Sequence, residues 1–154
     1  MILVSSEDPE ILKHADSLGT VVAHPRNSFA ANEHSNAGDV MRDLVDSDFD
    51  DVFISTENPP WFVYLQPTSP LRTGQHIVAA FQELVQYPNL EAIVSVSATD
   101  DSKPNGAIYI FSYQEFLKTG ALPTTETLTV KMSAESSLEL KTQSDLAKFE
   151  ALFN

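Results

Sequence analysis

Between Gln66 and Arg72 the chain gathers one amide, two hydroxyls and one guanidinium, in the order Gln66-Pro67-Thr68-Ser69-Pro70-Leu71-Arg72. Amide and hydroxyl groups read the hydroxyls of a ligand, and a guanidinium pairs with a carboxylate. The same residues also read structurally, with Thr68 and Ser69 capping a helix that begins near Thr73 and Arg72 solvated. Further on, Asn105-Gly106 either brings backbone close to a ligand or forms the turn before a strand. Asp46, Asp48 and Asp50, with Glu57 after them, have the spacing of a calcium loop. Asp51 stands where the sharp turn of such a loop requires glycine, and proline and a strand follow in place of a helix, so a solvated acidic loop is the reading taken. His14, His34 and His76 have no second ligand at metal-binding spacing, and nothing supports Ser-His-Asp chemistry.

Bulk properties bound the partners. The 154 residues suit a single α/β domain over 1–154, and the formal charge of −13, with only 9 Lys and Arg, argues against nucleic acid and anionic membranes. A compact anion in a local pocket of opposite sign is still compatible with that charge. Cysteine is absent, so there is no thiolate nucleophile or thiolate metal site, which fits a cytoplasmic protein. The start MILVSSEDPE lacks the basic and apolar regions of a signal peptide, and no apolar run approaches the roughly 20 residues that span a bilayer.

The elements that must position these groups alternate between short apolar runs and helical patterns, as in stacked β-α units around a largely parallel sheet. Residues 1–5 read as a buried strand, followed by a helix with Ser6 or Asp8 as N-cap, Pro9 in its first turn, Ile11, Leu12, Ala15 and Leu18 facing inward, and Gly19 at its end. A short strand at 20–23 and a helix through Val40, Met41, Leu44 and Val45 come next. The apolar run 61–65 reads as a central parallel strand, which puts the polar loop 66–72 at its C-terminal end, where open α/β sheets bind ligands. A helix through Ile77, Val78, Phe81, Leu84 and Val85, strands at 92–96, 107–111 and 127–132, and a final helix capped by Thr142 and Asp145 with Leu146, Phe149 and Phe153 inside complete the pattern. There is no internal repeat and no low-complexity segment.

The segment YLQPTSPLRTGQHI at 64–77 resembles the signature of the acylneuraminate cytidylyltransferase family, which transfers CMP from CTP to a 2-keto-3-deoxy sugar acid. ILVSSEDPEIL at 2–12, NGAIYIF at 105–111 and SSLELKTQSDLAKFEALF at 136–153 are similar to further family segments in the same order. The resemblance implies a Rossmann-like nucleotidyltransferase fold with a largely parallel sheet and flanking helices. It also implies sugar-acid contacts from Gln66, Thr68, Ser69, Arg72, Asn105 and Gly106.

Three departures from the family are visible. Its first strand and basic phosphate loop, of the PARxGSKR type, are expected to be missing, since 1–5 resembles the second strand; His24 corresponds to an arginine of the family. Its S-I-D-I-D-T pattern, a carboxylate pair on one face of a strand suited to Mg²⁺, corresponds to Ser137-Leu138-Glu139-Leu140-Lys141-Thr142, leaving Glu139 as the remnant of a degraded metal site. Its dimerisation arm corresponds to the short stretch 97–104, with Lys103 as the one cation.

The expectation is therefore a cytidylyltransferase-like protein, catalytically impaired, with no cofactor assigned and with a sugar acid or nucleotide as ligand. No residue is assigned a catalytic or nucleotide-binding role. A homo-oligomer built without the usual arm is expected, through the apolar strand at Ile2–Val4. An active synthetase and an interaction module reusing the fold are the other two readings.

Overall fold

The computed structural model describes residues 1–47 and 60–153. The chain divides into two units, Met1–Asn58 and Pro59–Asn154. Most of the calcium-loop spacing, Asp48 to Glu57, lies outside the described residues; Asp46 is the C-cap of a helix.

In the first unit β1 (Leu3–Ser6), α1 (Pro9–Ser17), β2 (Val22–Pro25) and α2 (Ala37–Val45) follow one another, with β1 parallel to β2 and Leu3 opposite Val22. Asp8 is the N-cap of α1: the N–H of Glu10 donates to its carboxylate at 2.7 Å, and Pro9 sits where a missing N–H costs nothing. Of the expected inward stripe of α1 only Ala15 is buried, and Ile11 and Leu18 are exposed. A two-stranded sheet offers too little surface to cover a full helical stripe. For the same reason β1 is half-buried, where a buried strand is expected from its composition. In α2 the expected face holds: Val40, Met41, Leu44 and Val45 are all buried, behind a capping box between Asn36 and Asp39.

The second unit contains β3 (Trp61–Tyr64), α3 (Gly74–Val85), β4 (Ala92–Ser97), β5 (Asp100–Ser112), α4 (Tyr113–Thr119), β6 (Leu128–Met132) and α5 (Gln143–Glu150). Its sheet runs in the order β3-β5-β4-β6. The β3/β5 and β4/β5 pairings are antiparallel and only β4/β6 is parallel, so the largely parallel sheet expected from the sequence gives way to a mixed one. The cause is the short link after β4. Ser97 pairs with Asp100, and a connection that tight can only reverse the chain into an antiparallel hairpin. β5 therefore starts at Asp100, within a polar stretch that reads as loop, and not at 107.

Strand β3 stands at one end of this order instead of at its centre, and Trp61 is accordingly 42% exposed. On one face of the sheet, Ala80 and Leu84 of α3 pack with Ile93, Ile108, Ile110 and Met132, and Ile77 lies against them. On the other, Phe62, Phe111 and Phe116 meet at ring-centroid distances of 5.4 to 6.4 Å. The buried stripe of α3 is narrower than its periodicity suggests: Val78 and Phe81 are exposed, and Val85 is 76% exposed. Helix α5 buries nothing fully; Phe149 stacks edge-on against Phe153 at 5.1 Å, and Phe153 stays 70% exposed. No helix among the described residues is long and apolar enough to cross a membrane.

Strands β3, β4 and β6 point the same way, and β5 opposes them. Their C-terminal ends therefore share one end of the sheet, and the loop after β3 and the segment after β6 emerge there.

Candidate functional site

That end is organised by a buried polar residue in an otherwise apolar strand. Ser95 lies between Val94 and Val96 of β4 and is fully buried, so its hydroxyl must find partners inside the protein. The N–H of Ile108 donates to Ser95 Oγ at 2.8 Å, and the Ser95 hydroxyl donates to Asn105 Oδ1 at 2.6 Å. Asn105 Oδ1 also accepts from the N–H of Ala107 at 3.1 Å, and its Nδ2 donates to Ser137 Oγ at 2.9 Å. These bonds hold a bulge in β5: Val94 pairs with Tyr109 and Val96 with Pro104, so 105–108 lie opposite Ser95 alone. Asn105 is thus a positioning residue, tying β4, β5 and the segment after β6 together.

Gly106 sits in the bulge at φ 80°, a conformation costly for a residue with a side chain. A Cβ there would lie 2.6 Å from Gln66 Oε1 and 3.1 Å from Glu139 Oε1. Gln66 and Glu139 therefore both reach over the bare backbone of Gly106, the amide from the loop after β3 and the carboxylate from the segment after β6.

Two backbone-directed ties bring the loop to this point. Arg72 NH1 donates to the carbonyls of Gln66 at 3.0 Å and Ala107 at 2.9 Å, and burial pulls its guanidinium below the ordinary value. Arg72 is half-buried, and through NH1 it clamps the loop onto β5. The Thr68 carbonyl accepts from the N–H of Leu140 at 2.8 Å, which fixes the segment carrying Glu139 beside the loop. Neither Thr68 nor Ser69 caps α3. Thr73 is the N-cap, and its N–H donates to His76 Nδ1 at 3.1 Å. Ser69 is 2% exposed, and its Oγ has no hydrogen-bond partner among the described residues.

Tyr109 and Tyr64 pair across β5 and β3, with ring centroids 6.2 Å apart, and Tyr109 is within electrostatic reach of Glu139. Burial, and then the charge of Glu139, raises the Tyr109 phenol above its usual value, so it stays a protonated donor at neutral pH. Glu139 Oε2 is 2.8 Å from Lys141 Nζ, and the ammonium end is well exposed whereas Glu139 is mostly covered. The two meet across irregular chain, since 133–142 forms no strand of the kind expected for the carboxylate pair.

The Mg²⁺ implied by the resemblance does not fit these residues. A divalent ion of this kind needs an octahedral oxygen set with carboxylates free to coordinate. Here the one carboxylate is neutralised by Lys141, and no group of three metal-capable side chains exists among the described residues. What the cluster offers is an amide, a carboxylate, a phenol and an ammonium gathered about a buried glycine, polar groups of the kind that read a polyhydroxylated acid. It offers no nucleophile paired with a base.

In the first unit His24 is buried with Nδ1 3.2 Å from Ser5 Oγ, and Arg26 binds the Ser5 carbonyl at 2.7 Å and Glu7 at 3.2 Å. His14 lies on α1, and His34 is exposed beside Glu33.

Of the residues expected at the site, Gln66 and Gly106 meet in it. Asn105, Arg72 and the Thr68 backbone support it, and Ser69 lies buried in the loop. Ser95, Ser137, Tyr64 and Tyr109 were not expected; only Ser95, a polar residue inside an apolar run, left a signal in the sequence. No family model matches the chain, and no curated protein matches it.

Proposed function

We propose that the chain is an acylneuraminate cytidylyltransferase-like protein, with Rossmann-like nucleotidyltransferase kinship, that holds a sugar acid over Gly106 and is impaired in nucleotide transfer. The observation that carries this is the convergence of Gln66 and Glu139 on the Cβ-less backbone of Gly106. The two stretches that resemble the family most, QPTSPLR and NGAIY, are far apart in sequence and adjacent in the fold, clamped by Arg72. Side-chain amide and carboxylate oxygens accept from sugar hydroxyls, and the Tyr109 phenol donates. Impairment follows from charge. Phosphoryl transfer needs concentrated positive charge and a bridging metal, and the Glu139–Lys141 pair provides no seat for that metal.

A cytosolic location goes with this function, supported by the absence of cysteine. The test is a thermal-shift series with N-acetylneuraminate, related 2-keto-3-deoxy acids, CTP and CMP. A ligand that binds only the native state raises the melting temperature. Stabilisation by a sugar acid, lost in Gln66→Ala, supports the assignment, and no shift with any of them sinks it.

A second reading, a self-associating interaction module, is favoured by one observation. A cavity of about 340 Å³ is lined by Trp61, Phe81, Val85, Tyr87 and Leu90, large apolar side chains left partly in water. Light scattering across a concentration series distinguishes it: concentration-dependent dimers that Val85→Lys dissolves support self-association, and a monomer throughout removes it.

A further inference from the structure

We infer that Lys141 is the resident cation of this cluster: its ammonium, anchored by Glu139, meets the carboxylate of the bound acid, and no divalent ion enters. The inference rests on the sugar-acid assignment and adds to it the group that reads the acid's charge.

The backbone around Lys141 is held on both sides. Before it, the N–H of Leu140 is tied to the Thr68 carbonyl at 2.8 Å. After it, Thr142 caps α5, with its N–H on Asp145 Oδ2 at 3.0 Å and the Asp145 N–H returning to Thr142 Oγ1 at 3.2 Å. Lys141 therefore projects from an anchored stretch of chain, and its ammonium is steered toward Glu139 Oε2 at 2.8 Å. An ammonium carries several N–H donors. Glu139 takes one, and with 67% of the lysine side chain exposed the others face solvent. The other ion-paired lysines of the unit have partners that are not members of the cluster, Lys118 with Glu91 and Glu115, Lys131 with Asp101 and Lys148 with Asp145, and Arg72 directs NH1 to two backbone carbonyls.

Lys103 lies on the exposed early part of β5, before the bulge. In a chain of formal charge −13, an anion is met only where a cation is placed locally, and at the Gly106 cluster that cation is Lys141. The same charge repels a divalent ion from Glu139, which is why the metal does not fit.

Two probes test this on the full chain. N-acetylneuraminate binding is measured by calorimetry for wild type, Lys141→Gln and Lys141→Arg, in chelator and in Mg²⁺. Separately, Mn²⁺ is titrated while the amide resonances of Gly106 and Glu139 are followed for paramagnetic broadening. The expected result is wild-type affinity unchanged by chelator, a loss of about tenfold in Lys141→Gln, as for one charge-assisted hydrogen bond, retention in Lys141→Arg, and no local broadening by Mn²⁺. Sugar-acid binding that is equal in Lys141→Gln, or that requires Mg²⁺, or Mn²⁺ broadening centred on Glu139 overturns it while leaving the sugar-acid site standing. A wild type that binds no sugar acid overturns both. Because the lysine side chain is mostly exposed, these variants are expected to fold, and unchanged melting temperatures without ligand verify it.

Discussion

The side-chain oxygen of Gln66 lies 2.6 Å from the point where a Cβ on Gly106 would stand. A residue of the loop after β3 thus occupies space that any side chain at Gly106 would claim, and Glu139 Oε1 lies 3.1 Å from the same point. Gly106 is required twice, by its φ of 80° and by its neighbours.

Gly106→Ala should cost about 1–3 kcal/mol in chemical denaturation, from backbone strain and from displacement of Gln66 and Glu139. Gly74→Ala is the control. Gly74 opens α3 with nothing within 4 Å of its would-be Cβ, so the change should be neutral or stabilise by up to about 1 kcal/mol. Equal effects at the two positions would mean that Gly106 is an ordinary turn glycine.

Ser95→Ala should destabilise by about 1–3 kcal/mol, because the Ile108 N–H and Asn105 Oδ1 both lose a partner inside the protein. Ser95→Ala and Asn105→Ala should couple in a double-mutant cycle, since both belong to one network. Strict additivity would show that the bulge is held by other means.

Stability should fall on the alkaline side through Tyr109. Its folded pKa is raised by burial and by Glu139, so the folded state holds the phenolic proton more tightly than the unfolded chain. The contribution is complete below the ordinary value of about 10 and is lost as pH rises through the raised one. Tyr109→Phe should flatten this limb in denaturant titrations; an unchanged limb would assign the loss to other groups.

Mixed with CTP, Mg²⁺ and an acylneuraminate, the chain should release no pyrophosphate above background, because the ion-paired Glu139 cannot hold the metal that phosphoryl transfer uses. The double variant Glu139→Asp with Lys141→Asp would bind Mn²⁺ only if a strand carried both carboxylates, and since 133–142 forms none, neither Mn²⁺ binding nor turnover should appear. Turnover by either protein would refute the impairment.

How far the sequence could be read is clearest at β4 and β5. The apolar run of β4 and the apolar second half of β5 are legible, as are the face of α2 and the Asp8 and Thr142 caps, because these depend on local periodicity and local hydrogen bonds. The direction of β5 is not. Pro104, Asn105 and Gly106 carry turn chemistry, and only the pairing of Ser97 with Asp100 turns the polar stretch before them into strand. Burial also depends on what covers a face: β3 is apolar throughout yet ends the sheet order, and Val85 keeps helical spacing yet faces water. At the site, Gln66 and Gly106 could be picked from residue type. That Arg72 serves the backbone, and that Tyr109 joins Glu139, are tertiary facts with no local signature.

The most direct test of the central claim is an isotope-edited NMR titration of the chain with N-acetylneuraminate in the absence of added metal. The account predicts saturable shifts centred on the amides of Gln66, Gly106 and Glu139, abolished in Gly106→Ala and weakened in Gln66→Ala. Shifts that are absent at saturating ligand, or that centre on α5 or the Trp61–Val85 cavity while Gly106 stays still, would contradict it.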